Sequence, residues 1–178
     1  NFIKSDGSTR EDGISNAISQ DSDVAITITD TSIGSSDFTK LNNVASGTAG
    51  VITATVSGTG TQVAALTNLS STTDDIGITL TADNSNTEEN ITTIAGYTTG
   101  TTKIDVAKIK DTYSDVKVVL DNTKVDHADA TVVIDSGAFT VANYDTIVAA
   151  GVNTSAIDFS GVTLSGSYSD IIALGKTV

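Results

Sequence analysis

Residues 24 to 50 read VAITITDTSIGSSDFTKLNNVASGTAG. Ile26 and Ile28 alternate with Thr27 and Thr29, a period of two that predicts a strand with one buried face. Phe38, Leu41 and Val44 then recur at every third residue, which predicts one face of a short helix or 3₁₀ segment. Ser36 and Asp37 precede that face as candidate caps for its free N–H groups. Gly47 and Gly50 mark the return to the next strand. One such unit cannot bury its own apolar face and needs a second unit against it.

The rest of the chain supplies the copies. Ile26, Ile52, Ile78 and Ile104 are 26 residues apart, Val132 follows after 28 and Ile157 after 25. Two residues on from each lie Ile28, Ala54, Leu80, Val106, Ile134 and Phe159. The helical pairs Phe38/Leu41, Val63/Leu66, Ile91/Ile94, Val116/Val119, Tyr144/Ile147 and Ile171/Leu174 keep the same rhythm, with a mean period of 26.6 residues. Two apolar sets in one rhythm, with a strand and a short helix per period, predict stacked repeats of leucine-rich-repeat size.

The expected fold is therefore an α/β repeat: a solenoid of about seven strand–short-helix coils with one parallel sheet. The second half-units are rich in Thr, Ser, Asn, Val and Ile, which are poor helix formers, so an all-β parallel solenoid is the alternative. Residues 1–178 form a single solenoid domain, with 1–23 an irregular first coil and 24–178 six repeats of about 26 residues. Ile14, Ala17 and Ile18 continue the helical side into that first coil. The expected core comprises Ile26, Ile28, Ile52, Ile78, Leu80, Ile104, Val106, Val132, Ile134, Ile157 and Phe159 from the strands. Leu41, Leu66, Ile94, Ile147 and Leu174 join them from the helical side.

Unit five departs most from the pattern. Its SDVKVVLDN segment is β-branched enough to be extended, and TKVDHADA reads as a longer return. The last unit ends in SDIIAL, an echo of SDFTKL, without a polar cap. A solenoid ending so exposes its core column, which leads us to expect further protein or another copy beyond it.

Charge and composition narrow the function. Net charge is −13, which repels phosphate backbones and disfavours nucleic acid. The sequence has no Cys, so it carries no disulfide framework, thiolate metal site or cysteine nucleophile. No apolar run is long enough for a membrane span.

The outward strand positions form two expected ladders. One is Thr27, Thr53, Thr79, Asp105, Val133 and Asp158; the other is Thr29, Thr55, Thr81, Ala107, Asp135 and Ser160. Thr is a common β-former on a wet face, which explains both without a ligand.

Calcium takes oxygen ligands from loop Asp and Asn. The candidates are Asp83, Asn84, Asn86, Asp126 and Asp129, with Asp21, Asp23, Asp74 and Asp75 as further acidic pairs. No calcium-loop motif joins them, so Asx turns and solvated charge explain them as well. His127 is the single His, has no ligand companion, and reads as a loop residue. No nucleophile, phosphate-loop or dinucleotide motif is present, and the chain is read as a non-enzyme with no cofactor, calcium excepted.

Hydrophobic-x-hydrophobic-Thr, then Ser/Asx-Asp-φ-x-x-Leu, then a Thr/Gly-rich return, is similar to the low-cysteine repeat arrays of very large bacterial cell-surface and secreted proteins. Those of marine cyanobacteria are the nearest in style. The fixed Leu/Asn framework of true leucine-rich repeats is missing. The resemblance covers most of residues 24–178 and implies a repeat architecture and an extracellular or cell-surface location. It carries over no site residues. The expected function is a structural segment of a surface layer, filament or adhesin stalk. Its partners would be other copies of itself or further repeats of a longer chain. The alternative is an adhesion module for a glycan, a cell surface or calcium.

Overall fold

The structure is a computed structural model, and it describes residues 23, 25–45, 51–66, 75–97 and 103–174. Strands and helices alternate along the chain. β1 (Ile26–Thr27) and β2 (Ile33–Gly34) precede α1 (Ser35–Ala45), and β3 (Ile52–Gly58) precedes α2 (Gly60–Ala64). β4 (Asp75–Leu80) leads to α3 (Glu88–Tyr97), and β5 (Ile104–Val106) with β6 (Lys108–Asp111) leads to α4 (Tyr113–Leu120). β7 (Val125–Asp126), β8 (Thr131–Ile134) and β9 (Phe139–Thr140) lead to α5 (Val141–Ala149). A 3₁₀ turn (Thr154–Ala156), β10 (Ile157–Asp158) and β11 (Leu164–Ser165) lead to α6 (Tyr168–Ala173).

Every strand pair is parallel, and each strand pairs with strands of the units before or after it. Parallel neighbours need a crossover, which the intervening helix supplies. Helices α2 and α3, α3 and α4, and α4 and α5 pack side by side. Among the described residues no sheet closes on itself into a barrel.

Two features differ from the sequence expectation. Among the described residues the strands make three sheets and not one: β1-β3-β4-β5-β7 with β2 also on β3, then β10-β8-β6, then β11-β9. The division falls where unit five bends at Ala107, between β5 and β6. β5 continues to β7 while β6 continues to β8, so one unit feeds two sheets.

The isoleucine file is also stepped. Ile26 faces Ile52, Ile78 faces Ile104 and Val132 faces Ile157, as the spacing predicts. Between Ile52 and Ile78, however, the register slides by four residues, and Val56 stands opposite Ile78. Ile104 faces Val125 and Val132 faces Ile109. Even-numbered slides leave the same face buried, because side chains alternate with a period of two. The apolar column therefore survives the slide.

The second half of unit five, which the sequence left open between helix and strand, is a helix, α4, with Val116, Val119 and Leu120 buried, in line with the expected helical pair Val116/Val119. Its β-branched residues are held helical by packing and by a cap, which together outweigh propensity.

The buried side chains form one cluster. Ile26, Ile28, Ile52, Ile78, Leu80, Ile104, Val106, Val132, Ile134 and Ile157 are each at most 8% exposed, as are Leu41, Leu66, Ile94 and Ile147. Phe159 and Leu174 are half-buried against it. Between units five and seven an aromatic file adds to the column: Tyr113 meets Phe139 at 6.1 Å, Phe139 meets Phe159 at 5.5 Å and Phe159 meets Tyr144 at 6.0 Å between ring centroids. Ile14, Ala17 and Ile18 lie outside the described residues, as do Gly47 and Gly50.

Helix starts are set by a hydroxyl-led box. Thr59, Thr112, Thr140 and Ser167 are N-caps, and each side chain accepts the N–H of the residue three on: Gln62, Asp115, Asn143 and Asp170. Thr87 accepts from Asn90 N in the same way at 3.4 Å. In two boxes the partner returns the bond: Gln62 Oε1 accepts from Thr59 N at 3.0 Å, and Asn143 Oδ1 from Thr140 N at 2.9 Å. Each hydroxyl lies four residues before the first large apolar residue of the inward helix face (Val63, Ile91, Val116, Tyr144 and Ile171). In α1 the helix starts at Ser35, so Ser36 and Asp37 sit inside the first turn and do not precede it. We expect Thr112→Ala to cost about 1 kcal/mol in a denaturant melt, the usual value of one N-cap.

Candidate functional site

The five calcium candidates fall into two places. Asp83, Asn84 and Asn86 lie in the connection between β4 and α3, while Asp126 ends β7 and Asp129 lies in the turn after it. Among the described residues, no three His, Cys, Asp or Glu side chains gather where one ion would reach them. Asp21 and Asp74 lie outside the described residues.

In the β4–α3 connection the ligand oxygens are engaged by donors of the protein. Asp83 Oδ1 accepts from Ser85 N at 2.8 Å, a turn of the Asx type. Asn84 Oδ1 accepts from Lys108 Nζ at 2.7 Å. Asn86 Oδ1 accepts from Gly60 N, also at 2.7 Å, and Asn86 Nδ2 donates to Thr81 O at 2.8 Å. Hydrogen bonds from Ser85, helped by the Lys108 charge, hold the Asp83 carboxyl below the usual carboxylate range. Because the folded value is the lower one, this contribution is present above the unfolded value of 3.8 and is lost as pH falls through the folded value.

Asn86 is the one fully buried polar side chain among the described residues. It ties three units together. Its side chain reaches back to Gly60 at the start of α2, and its backbone oxygen accepts from Lys110 N of β6 at 3.1 Å. Gly60 is there because nothing larger fits: a Cβ on it would lie 2.3 Å from Ser85 O and 2.9 Å from Ser85 C. Thr61 N donates to Ser85 Oγ at 3.2 Å and Asn90 Nδ2 donates to Ser85 O at 2.8 Å. The connection is thus a brace between successive units, built from polar residues that look like turn residues in the sequence. The signal that would have found it is the glycine 26 residues before an asparagine, one period away.

On the outer face the ladders follow the stepped register. Thr27 stands beside Thr53, but Thr53 stands beside Asp75 and not Thr79. Ser57, Thr79, Asp105 and Asp126 form one row across β3, β4, β5 and β7. Asp105 and Asp126 are therefore like charges directly opposite each other, both exposed. This row was missed because TKVDHADA reads as a return. The hydrophobic-Asp pair Val125-Asp126, a copy of Ile104-Asp105, was the available signal. Val133 stands between Lys110 and Asp158 on the other sheet, and Lys110 pairs with Asp135 at 3.7 Å.

His127 has a definite place. Its Nε2 lies 3.1 Å from the oxygen of Ala150, the C-cap of α5, while its Nδ1 is buried with no hydrogen-bond partner. The ring ties the return after unit five to the end of the following unit's helix. Among the described residues no helix is long and apolar enough to cross a membrane. Comparison of the chain with protein-family models, with curated proteins and with solved structures finds no match in any of the three.

Proposed function

We propose that the chain is a structural repeat segment of a bacterial extracellular surface protein, a rod-like solenoid of about seven strand–short-helix coils. In this reading it acts by packing and assembly in a surface layer, filament or adhesin stalk. The observation that carries the reading is the unit-on-unit register, Ile26 on Ile52, Ile78 on Ile104 and Val132 on Ile157, with one continuous buried cluster beneath it. Repeats that contact only their neighbours make long scaffolds of this kind. The engagement of the Asn86, Asn84 and Asp83 oxygens within the protein fits a mechanical role for the polar connections.

A second reading, an adhesion module, is favoured by the Ser57–Thr79–Asp105–Asp126 row, half-buried at its hydroxyls and exposed at its carboxylates, which offers both groups to a glycan or a cation. Electron microscopy together with glycan-array binding separates the two. Ordered polymers without glycan binding support the structural reading. A protein that stays monomeric and binds a defined glycan through this row overturns it.

A further inference from the structure

We propose that Asn153 is an acceptor site for an N-linked sugar, and that Asn90, which carries the same motif, is not; the inference rests on the extracellular reading above. Asn-x-Ser/Thr is the acceptor pattern for this modification. Asn90-Ile91-Thr92 and Asn153-Thr154-Ser155 both match it. Asn68-Leu69-Ser70 matches as well and lies outside the described residues. Asn153, Thr154 and Ser155 are all exposed. They sit in the short connection after α5, fixed between Val152 and Ile157, which are 2% and 5% exposed. Asn153 Oδ1 accepts from Ser155 N at 3.0 Å and from Ser155 Oγ at 2.8 Å. The amide and the hydroxyl of the motif therefore lie together in one turn of the Asx type. Among the described residues nothing accepts from Asn153 Nδ2.

Asn90 is the opposite case. It lies inside α3, is half-buried, and its Nδ2 donates to Ser85 O at 2.8 Å. Thr92 Oγ1 donates to Glu88 Oε1 at 2.8 Å, and helical residues two apart do not face each other. Transfer needs a free nitrogen. Nδ2 gives a proton to a base of the transferase and attacks C1 of a diphosphate-activated sugar. The Nδ2–C1 bond forms, the C1–O bond breaks, and the diphosphate leaves with the electron pair. Hydrogen bonds to Oδ1 draw charge onto that oxygen and make the Nδ2 protons easier to remove. At Asn153 two such bonds are already in place. None of the three side chains at 153–155 belongs to the buried cluster, so a bulky sugar there leaves the stacked units as they are.

The test treats the folded full chain with two Asn-x-Ser/Thr-specific transferases. One is supplied with a nucleoside-diphosphate hexose and the other with a lipid-diphosphate oligosaccharide, and the mass added tells which carrier serves. Mass mapping reads the Asn90 and Asn153 peptides separately. A free peptide of residues 86–96, too short to hold α3 on its own, runs beside the chain. The expected result is sugar on Asn153 and none on Asn90 in the folded chain, in at least one arm, and sugar on Asn90 in the free peptide. Three results overturn the inference: a bare Asn153 in both arms, equal occupancy of Asn90 and Asn153 in the folded chain, or an Asn90 that stays bare in the peptide too, which assigns its silence to local sequence and not to the fold. Each removes this inference alone and leaves standing the structural reading, which electron microscopy tests on the unmodified chain.

Discussion

Ile78→Asp leaves the chain unfolded at neutral pH. Ile78 is 2% exposed and lies between Val56 and Ile104 on adjacent strands, both 0% exposed. A carboxylate there is surrounded by apolar side chains with almost no exposed surface, and burying an unpaired charge is among the largest penalties a single residue imposes. The loss is about 4–5 kcal/mol or more, against a total stability of about 5–15 kcal/mol for a domain. The damage also spreads, because β4 pairs with both β3 and β5, so losing it breaks two strand interfaces at once. Circular dichroism and one-dimensional NMR check it. Burial pushes the introduced carboxyl's pKa up, so the folded form is hurt most above that value and less in acid. A variant that keeps the parent's spectrum at pH 7 contradicts the placement of Ile78.

The second large effect is at the brace. Asn86→Ala leaves the Gly60 N–H and the Thr81 carbonyl without their partners. The Gly60 group is buried and its loss costs about 1–3 kcal/mol, while the Thr81 carbonyl is open to water and costs less, so we expect a loss of about 2–3 kcal/mol in a denaturant melt. Asn86→Asp does not rescue it, since a carboxylate accepts from Gly60 N but has nothing to donate to Thr81 O. Asn84→Ala, two residues away, is the control. Asn84 is exposed and its bond to Lys108 is solvent-facing, so its loss stays within about 0.5 kcal/mol. Gly60→Ala acts at the other end of the same contact, where the new Cβ meets backbone that cannot give way. Equal losses at positions 84 and 86 would mean that the connection is an ordinary surface turn.

The apolar rhythm was legible because packing demands it everywhere. Ile26, Ile78 and Val132 each face the partner that spacing alone names. What spacing does not encode is register. A slide of four residues at β3–β4 keeps the apolar face inward, so Ile52 looks as good a partner for Ile78 as Val56 does until the strands are paired. The helical state of unit five was hidden for a related reason. Val116, Val118 and Val119 argue locally for a strand, while the deciding residue is Thr112, which caps the helix. The repeated box from Thr59 to Ser167 is polar and lies four residues before each apolar helix face, so the apolar rhythm does not mark it. The brace was least legible. Asn86 resembles any turn asparagine, and only its distance of one period from Gly60 sets it apart.

Stacking of neighbouring units in parallel, in the stepped register, is the claim on which the rest stands, and paired cysteines test it directly. The chain has no Cys of its own, so any disulfide comes from the introduced pair. Thr53 and Asp75 are register partners, so their Cα atoms lie about 4.8 Å apart, within disulfide reach. Thr79 is four residues further along β4, about 13 Å away. Mild oxidation is therefore expected to close an intramolecular disulfide in Thr53→Cys/Asp75→Cys and to leave Thr53→Cys/Thr79→Cys reduced. Closure of the second pair instead of the first, or of neither, would contradict the stacking described for these strands.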